Sequence, residues 1–164
     1  MNTRFTRRVA LLAFLCASWA YARDIAVVTN KENGVKVLSQ AELVKIAQGT
    51  LTQWPDGQPI TLIIRIPASP AMRMVAEKLY EMAPPEINDL IYTANRRRPD
   101  SPSFVIVNSD EAVLKKVMAR PGAIGLVDVY SITAQVQVVR IGGKLPLEHG
   151  YLLHENQEPV SARR

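Results

Sequence analysis

At 164 residues, with 48% apolar and 21% charged side chains, the chain has the length and composition to bury one core-stabilised domain. Three of its 20 basic residues and none of its 15 acidic ones precede residue 23, which leaves only +2 of the formal +5 charge for residues 23–164. That balance argues against a nucleic-acid partner, since clustered charge makes such a footprint. The single cysteine, Cys16, lies in the same leading stretch, so residues 23–164 hold no disulfide, thiolate metal site or cysteine nucleophile.

The leading stretch reads as an export signal. Arg4, Arg7 and Arg8 form a basic start, Val9 to Ala20 an apolar run, and Ala20-Tyr21-Ala22 a small-x-small cleavage site. The run of 12 residues is well short of the roughly 20 that span a bilayer as a helix. Leu15 before Cys16 does not suit lipoprotein processing, which takes a small residue there. Cleavage after Ala22 is expected, giving a periplasmic protein with no stable membrane insertion.

From Asp24 to Thr29 a β-branched run predicts a strand, and Asn30 to Gly34 a turn. Ser39 with Glu42 three residues on is a capping box, and Leu43, Ile46 and Ala47 continue an apolar stripe that Gly49 closes, predicting a helix of about ten residues. Trp54-Pro55-Asp56-Gly57 carries turn chemistry, and Trp54 is expected to pack over that turn. Ile60 to Ile66 then reads as a strand apolar on both faces, as in a parallel sheet.

Ser69-Pro70 predicts a side-chain cap and first helical position, with Met72, Val75, Ala76, Leu79 and Tyr80 on the buried side. Pro84-Pro85 is expected to end that helix, and Glu86 to Tyr92 to form a short one. Arg96 to Ser103 is the expected mobile loop, its Arg96-Arg97-Arg98 run either a solvated face or a dock for an anionic partner. Phe104 to Val107 predicts a strand, Ser109 caps a helix to Met118, and strands are expected over Ala123 to Val127 and Gln135 to Ile141, with a turn at Gly142-Gly143. Residues 155–164 read as a disordered polar tail and 23–154 as the domain. Helices alternating with strands predict an α/β fold, a mixed sheet flanked by helices.

Several of these stretches, in order, resemble phosphate-binding periplasmic proteins of ABC transporters. They are Val27 to Asn30, Leu38 to Gly49, Trp54 with Asp56-Gly57, Ser109 to Leu114, Pro121 to Gly125, and Ile141 to Gly143 with Pro146 and Tyr151. The resemblance implies a type 2 periplasmic-binding-protein-like fold holding a tetrahedral oxyanion. Members of that family have two lobes, and this chain is similar to one of them. Either affinity is then weak, or a second copy, as a homodimer, or another protein supplies the missing wall.

The family's anion loop is an arginine followed by Ser-Gly-Thr at a helix start. Arg65 and Ser69 match it, whereas Pro70 and Ala71 replace the glycine and threonine and remove two donors. Arg73, in the first turn of the same helix, is the third candidate ligand residue. Arginine offers a forked donor to an oxyanion and a helix start offers free N–H groups. Ser69→Ala is expected to cost about 1 kcal/mol through lost capping.

No nucleophile–base motif and no phosphate-cradling Gly-rich loop is present, and His149 and His154 lack acidic partners at metal-ligand spacing. No catalytic residue, metal or cofactor is expected. Two readings follow. One is a non-enzymatic solute-binding protein for phosphate or a related oxyanion, linked to an ABC permease in uptake or sensing. The other is an envelope interaction module that keeps the fold without the ligand site.

Overall fold

The computed structural model describes residues 24–155; the proposed signal, residues 1–22, and residues 156–164 of the expected tail lie outside them. Among the described residues seven strands form two sheets. β1 (Ile25–Asn30), β3 (Thr61–Arg65), β4 (Phe104–Val107), β5 (Ala123–Asp128) and β6 (Val136–Val138) make the main sheet, in the order β4-β3-β5-β1-β6. β3 runs parallel to β4 and β5, while β1 is antiparallel to β5 and β6. β2 (Val37–Leu38) and β7 (Arg140–Ile141) form a short parallel pair beside it. The expected single strand from Gln135 to Ile141 is thus two strands in two sheets. They divide at Val139, whose N–H donates to Val27 O while Arg140 N–H turns to Lys36 O.

Alternation along the strands sorts side chains onto two buried faces. Val27, Leu62, Ile64, Ile124 and Leu126 face one core, shared with α1 (Gln40–Ala47) and α3 (Pro84–Arg96). Ala26, Val28, Ile63, Ala123 and Val127 face the other, under α4 (Asp110–Met118). Each of the buried Val, Leu and Ile side chains among them contributes about 1.5–3 kcal/mol of transfer free energy. β3 is buried on both faces, as its unbroken apolar run predicted.

The capping box of α1 is present: Ser39 Oγ accepts from Glu42 N–H at 3.1 Å, and Glu42 Oε2 accepts from Ser39 N–H at 2.8 Å. The Ser39 N–H, with the Ser39 hydroxyl that also donates to Oε2 at 2.7 Å, holds the Glu42 carboxyl below its ordinary value. α4 is capped by Ser109 through Ala112 N–H at 3.2 Å. Trp54 packs as expected, 5% exposed, with its indole N–H donating to Gly122 O at 3.0 Å.

The segment after β3 departs from expectation. It opens as a 3-10 turn (Pro70–Met72), passes through one short α turn, α2 (Arg73–Val75), and widens into a π turn (Ala76–Tyr80) that ends at Glu81 with φ of 52°. Its predicted apolar side chains are buried all the same. Pro84-Pro85 does not end this segment. The two prolines open α3, where a missing N–H costs nothing, and Glu86 accepts from Ala83 N–H at 2.8 Å. α3 then runs to Arg96, longer than the predicted Glu86 to Tyr92.

The loop after α3 is tied down. Arg98 Nη1 donates to Thr52 O at 3.4 Å, Ile60 O at 3.5 Å and Ser103 Oγ at 3.1 Å. Asn95 meets Phe104 with both its amide groups, at 2.9 and 3.0 Å. Arg96 instead lies over the exposed Tyr92 ring, 5.7 Å from its centroid. One of the three arginines in the expected mobile loop therefore serves as a clamp.

Candidate functional site

The topology places a crevice before any side chain is considered. The chain leaves β3 through the Pro70–Tyr80 segment and α3 on one face to reach β4, then leaves β4 through α4 on the other face to reach β5. Neighbouring strands β3 and β4 thus send their connections to opposite faces. At such a switch point the two loops diverge and open a crevice at the carboxyl ends of the strands. β3 ends at Arg65, in register with Val107 at the end of β4.

Arg65 lies at this edge with its side chain 29% exposed, across from Asp110 in the first turn of α4 at 14%. Arg65 Nη1 stands 3.6 Å from Asp110 Oδ1, an ion pair that spans the crevice. Asp110 Oδ2 is held independently: it accepts from Asp128 N–H at 3.2 Å and from the Ser131 hydroxyl at 2.9 Å. Those two donors come from the end of β5 and the 3-10 turn that follows it (Val129–Ser131). One carboxylate therefore joins the carboxyl ends of all three parallel strands.

Two polar atoms here are buried and have no hydrogen-bond partner: Arg65 Nε and Ser69 Oγ. Ser69 has the extended backbone of an N-cap, φ −72° and ψ 148°, yet its side chain makes no capping bond. The turn is closed by main chain alone, with Ser69 N–H donating to Ile66 O and Met72 N–H to Ser69 O, each at 2.9 Å. The predicted side-chain cap is absent because the segment starts as a 3-10 turn and its i→i+3 main-chain bond already uses the Met72 N–H.

Of the three candidate residues, the chain brings Arg65 and Ser69 to one loop, four positions apart. Arg73 is directed elsewhere: its side chain is 73% exposed and Nη2 pairs with Glu155 at 3.3 Å. Glu155 is the one residue of the expected polar tail among those described. Asp110 and Ser131 were missed. The signal for Asp110 was the Ser109-Asp110 pair, which reads only as helix-start chemistry until α4 is placed beside β3; Ser131 gave no local signal. Among the described residues no group of acidic or histidine side chains is arranged to hold a metal. His154 is anchored by Asp24, Nδ1 to Oδ1 at 2.5 Å, and Asp24 also accepts from Leu147 N–H.

Parallel strands whose connections diverge at a switch point, with helices on both faces, define an α/β lobe. The family model described as the PBP superfamily domain matches residues 19–151, and the chain belongs to that family. Solved structures share the fold. An ABC-type phosphate transport receptor from Vibrio cholerae is similar with a TM-score of 0.65 and 19% identity, over 81% of this chain and 54% of that one. PstS from Borrelia burgdorferi is similar with a TM-score of 0.63 and 18% identity, over 82% and 55%. A phosphate ABC transporter substrate-binding protein with bound phosphate from Clostridium perfringens gives 0.60 and 21%, over 74% and 46%. The chain thus spans about half the length of these structures. No curated protein matches it.

Proposed function

We propose that this chain is an exported solute-binding protein whose ligand is phosphate or a related oxyanion, held at the carboxyl edge of β3 by Arg65 and Ser69 through hydrogen bonds and without chemistry. One observation carries the reading: Arg65 Nε and Ser69 Oγ are both buried and both unpartnered. A buried donor without a partner costs about 1–3 kcal/mol, and an oxyanion arriving at the crevice would satisfy both groups at once. The structures named above, two of which carry phosphate transport in their descriptions, support the choice of anion. Export through cleavage of residues 1–22, a domain over 23–154 and delivery to an ABC permease complete the proposal. Arg73, paired with Glu155, takes no part in it.

The experiment is isothermal titration of the purified protein with phosphate at low ionic strength, with sulfate as the control. Saturable heat that Arg65→Ala abolishes is expected. Binding that survives Arg65→Ala places the ligand elsewhere. Absence of heat up to millimolar phosphate favours the second reading, an envelope interaction module. That reading has its own observation: Pro70 and Ala71 supply no side-chain donors, and Ile66 and Tyr130 near the crevice are 49% and 68% exposed.

A further inference from the structure

The Arg65 guanidinium is oriented, and the group that orients it is itself fixed by parts of the fold that do not touch Arg65. Nη1, the nitrogen on the Cδ side, faces Asp110 Oδ1 at 3.6 Å. The opposite edge, Nε with Nη2, is the one arginine uses for side-on, two-pronged contact with an oxyanion, and its Nε is the buried atom without a partner. Asp110 cannot swing freely, because Oδ2 is bonded to Asp128 N–H and the Ser131 hydroxyl. Arginine carries about 2 kcal/mol of rotamer entropy, and a carboxylate anchored through Oδ2 with Oδ1 turned to the guanidinium removes part of that freedom before a ligand arrives.

We propose that Asp110, held by Ser131, is a positioning residue that presents the Nε–Nη2 edge of Arg65 to the bound anion. The proposal rests on the oxyanion reading of the crevice. It makes a prediction whose sign simple electrostatics reverses. Removing a negative charge beside an anion site should tighten anion binding; removing a positioning group should weaken it.

The test measures phosphate dissociation constants for the wild type, Asp110→Ala, Asp110→Asn and Ser131→Ala. It adds the 15N–1H signal of Arg65 Nε–H in the ligand-free proteins, which a merely structural role would leave in place as long as the fold is intact. Asp110→Ala is expected to weaken binding about tenfold or more, as when a charge-assisted bond is misaligned, and to broaden the Nε–H signal through solvent exchange while the backbone spectrum is kept. Ser131→Ala, with no contact to Arg65, should weaken binding a few-fold. Asp110→Asn keeps an acceptor for Arg65 but cannot accept from Asp128 N–H through its amide nitrogen, so it should fall between. Should Asp110→Ala fail to fold, Asp110→Asn and Ser131→Ala carry the comparison. Equal or tighter binding in these variants, with wild-type phosphate binding intact, overturns the positioning role alone. No phosphate binding by the wild type overturns the oxyanion reading, and an Nε–H signal unchanged by the substitutions then overturns the positioning role as well.

Discussion

Replacing Ser69 by alanine separates two roles that the sequence leaves superimposed. If Ser69 capped a helix, Ser69→Ala would lower stability by about 1 kcal/mol. In the structure its hydroxyl makes no capping bond and is buried without a partner, while main-chain bonds at 2.9 Å close the turn on either side. The substitution then deletes an unsatisfied buried group whose desolvation costs about 1–3 kcal/mol, against a small loss of packing for one atom. A net gain of about 0.5–2 kcal/mol follows. For a domain of this size that is a rise in Tm of roughly 2–7 °C, read by thermal melting followed by circular dichroism and checked by the urea midpoint. The same variant should lose phosphate affinity by about 10- to 100-fold, the worth of a hydrogen bond to a charged group. Higher stability with weaker binding is the expected signature of a donor kept for a ligand. A stability loss of 1 kcal/mol or more would refute the argument and restore the capping role.

Gly125→Ala should destabilise the domain by about 1–3 kcal/mol, because its new methyl would sit 2.6 Å from a Val113 methyl and 2.7 Å from one of Val117, forcing α4 away from β5; an unchanged urea midpoint would contradict this seat for α4. Arg98→Ala removes the clamp on Thr52, Ile60 and Ser103. Faster amide exchange and proteolysis are expected over residues 97–103, and protection equal to wild type would show the loop held by other contacts. Burial raises the phenol pKa of Tyr80 and of Tyr151 above the ordinary value of about 10. A phenol whose pKa is raised in the folded state loses stability for the fold once the unfolded state ionises, so the contribution of these two groups should be level below about pH 10 and fall as pH rises beyond it. Tyr80→Phe, which deletes an unpartnered hydroxyl, should make that fall shallower; an identical alkaline profile would refute it.

Strands β1, β3, β4 and β5 and two of the helix caps follow from local chemistry, and the sequence determines them nearly alone. The β-branched runs at Ile25–Asn30 and Thr61–Arg65, the capping box Ser39–Glu42 and the Ser109 cap each depend on residues within a few positions of one another. The family resemblance was legible in the same way, as short pieces in a fixed order. Tertiary structure decided what depends on distant partners. The Arg96 to Ser103 stretch looks mobile by composition, yet Arg98 finds carbonyls some 40 residues away. Pro84-Pro85 reads as a stop in the sequence, and in the fold it opens α3, whose Ile87 and Ile91 pack into the core. At the crevice the sequence supplied Arg65 and Ser69 but assigned Ser69 a cap and gave Asp110 no part. Only the placement of α4 across the switch point brings Asp110 to Arg65, a geometry set by how β3, β4 and β5 pair and not by any residue's neighbours in the chain, while the 3-10 start of the Pro70–Met72 turn leaves the Ser69 hydroxyl without a capping bond.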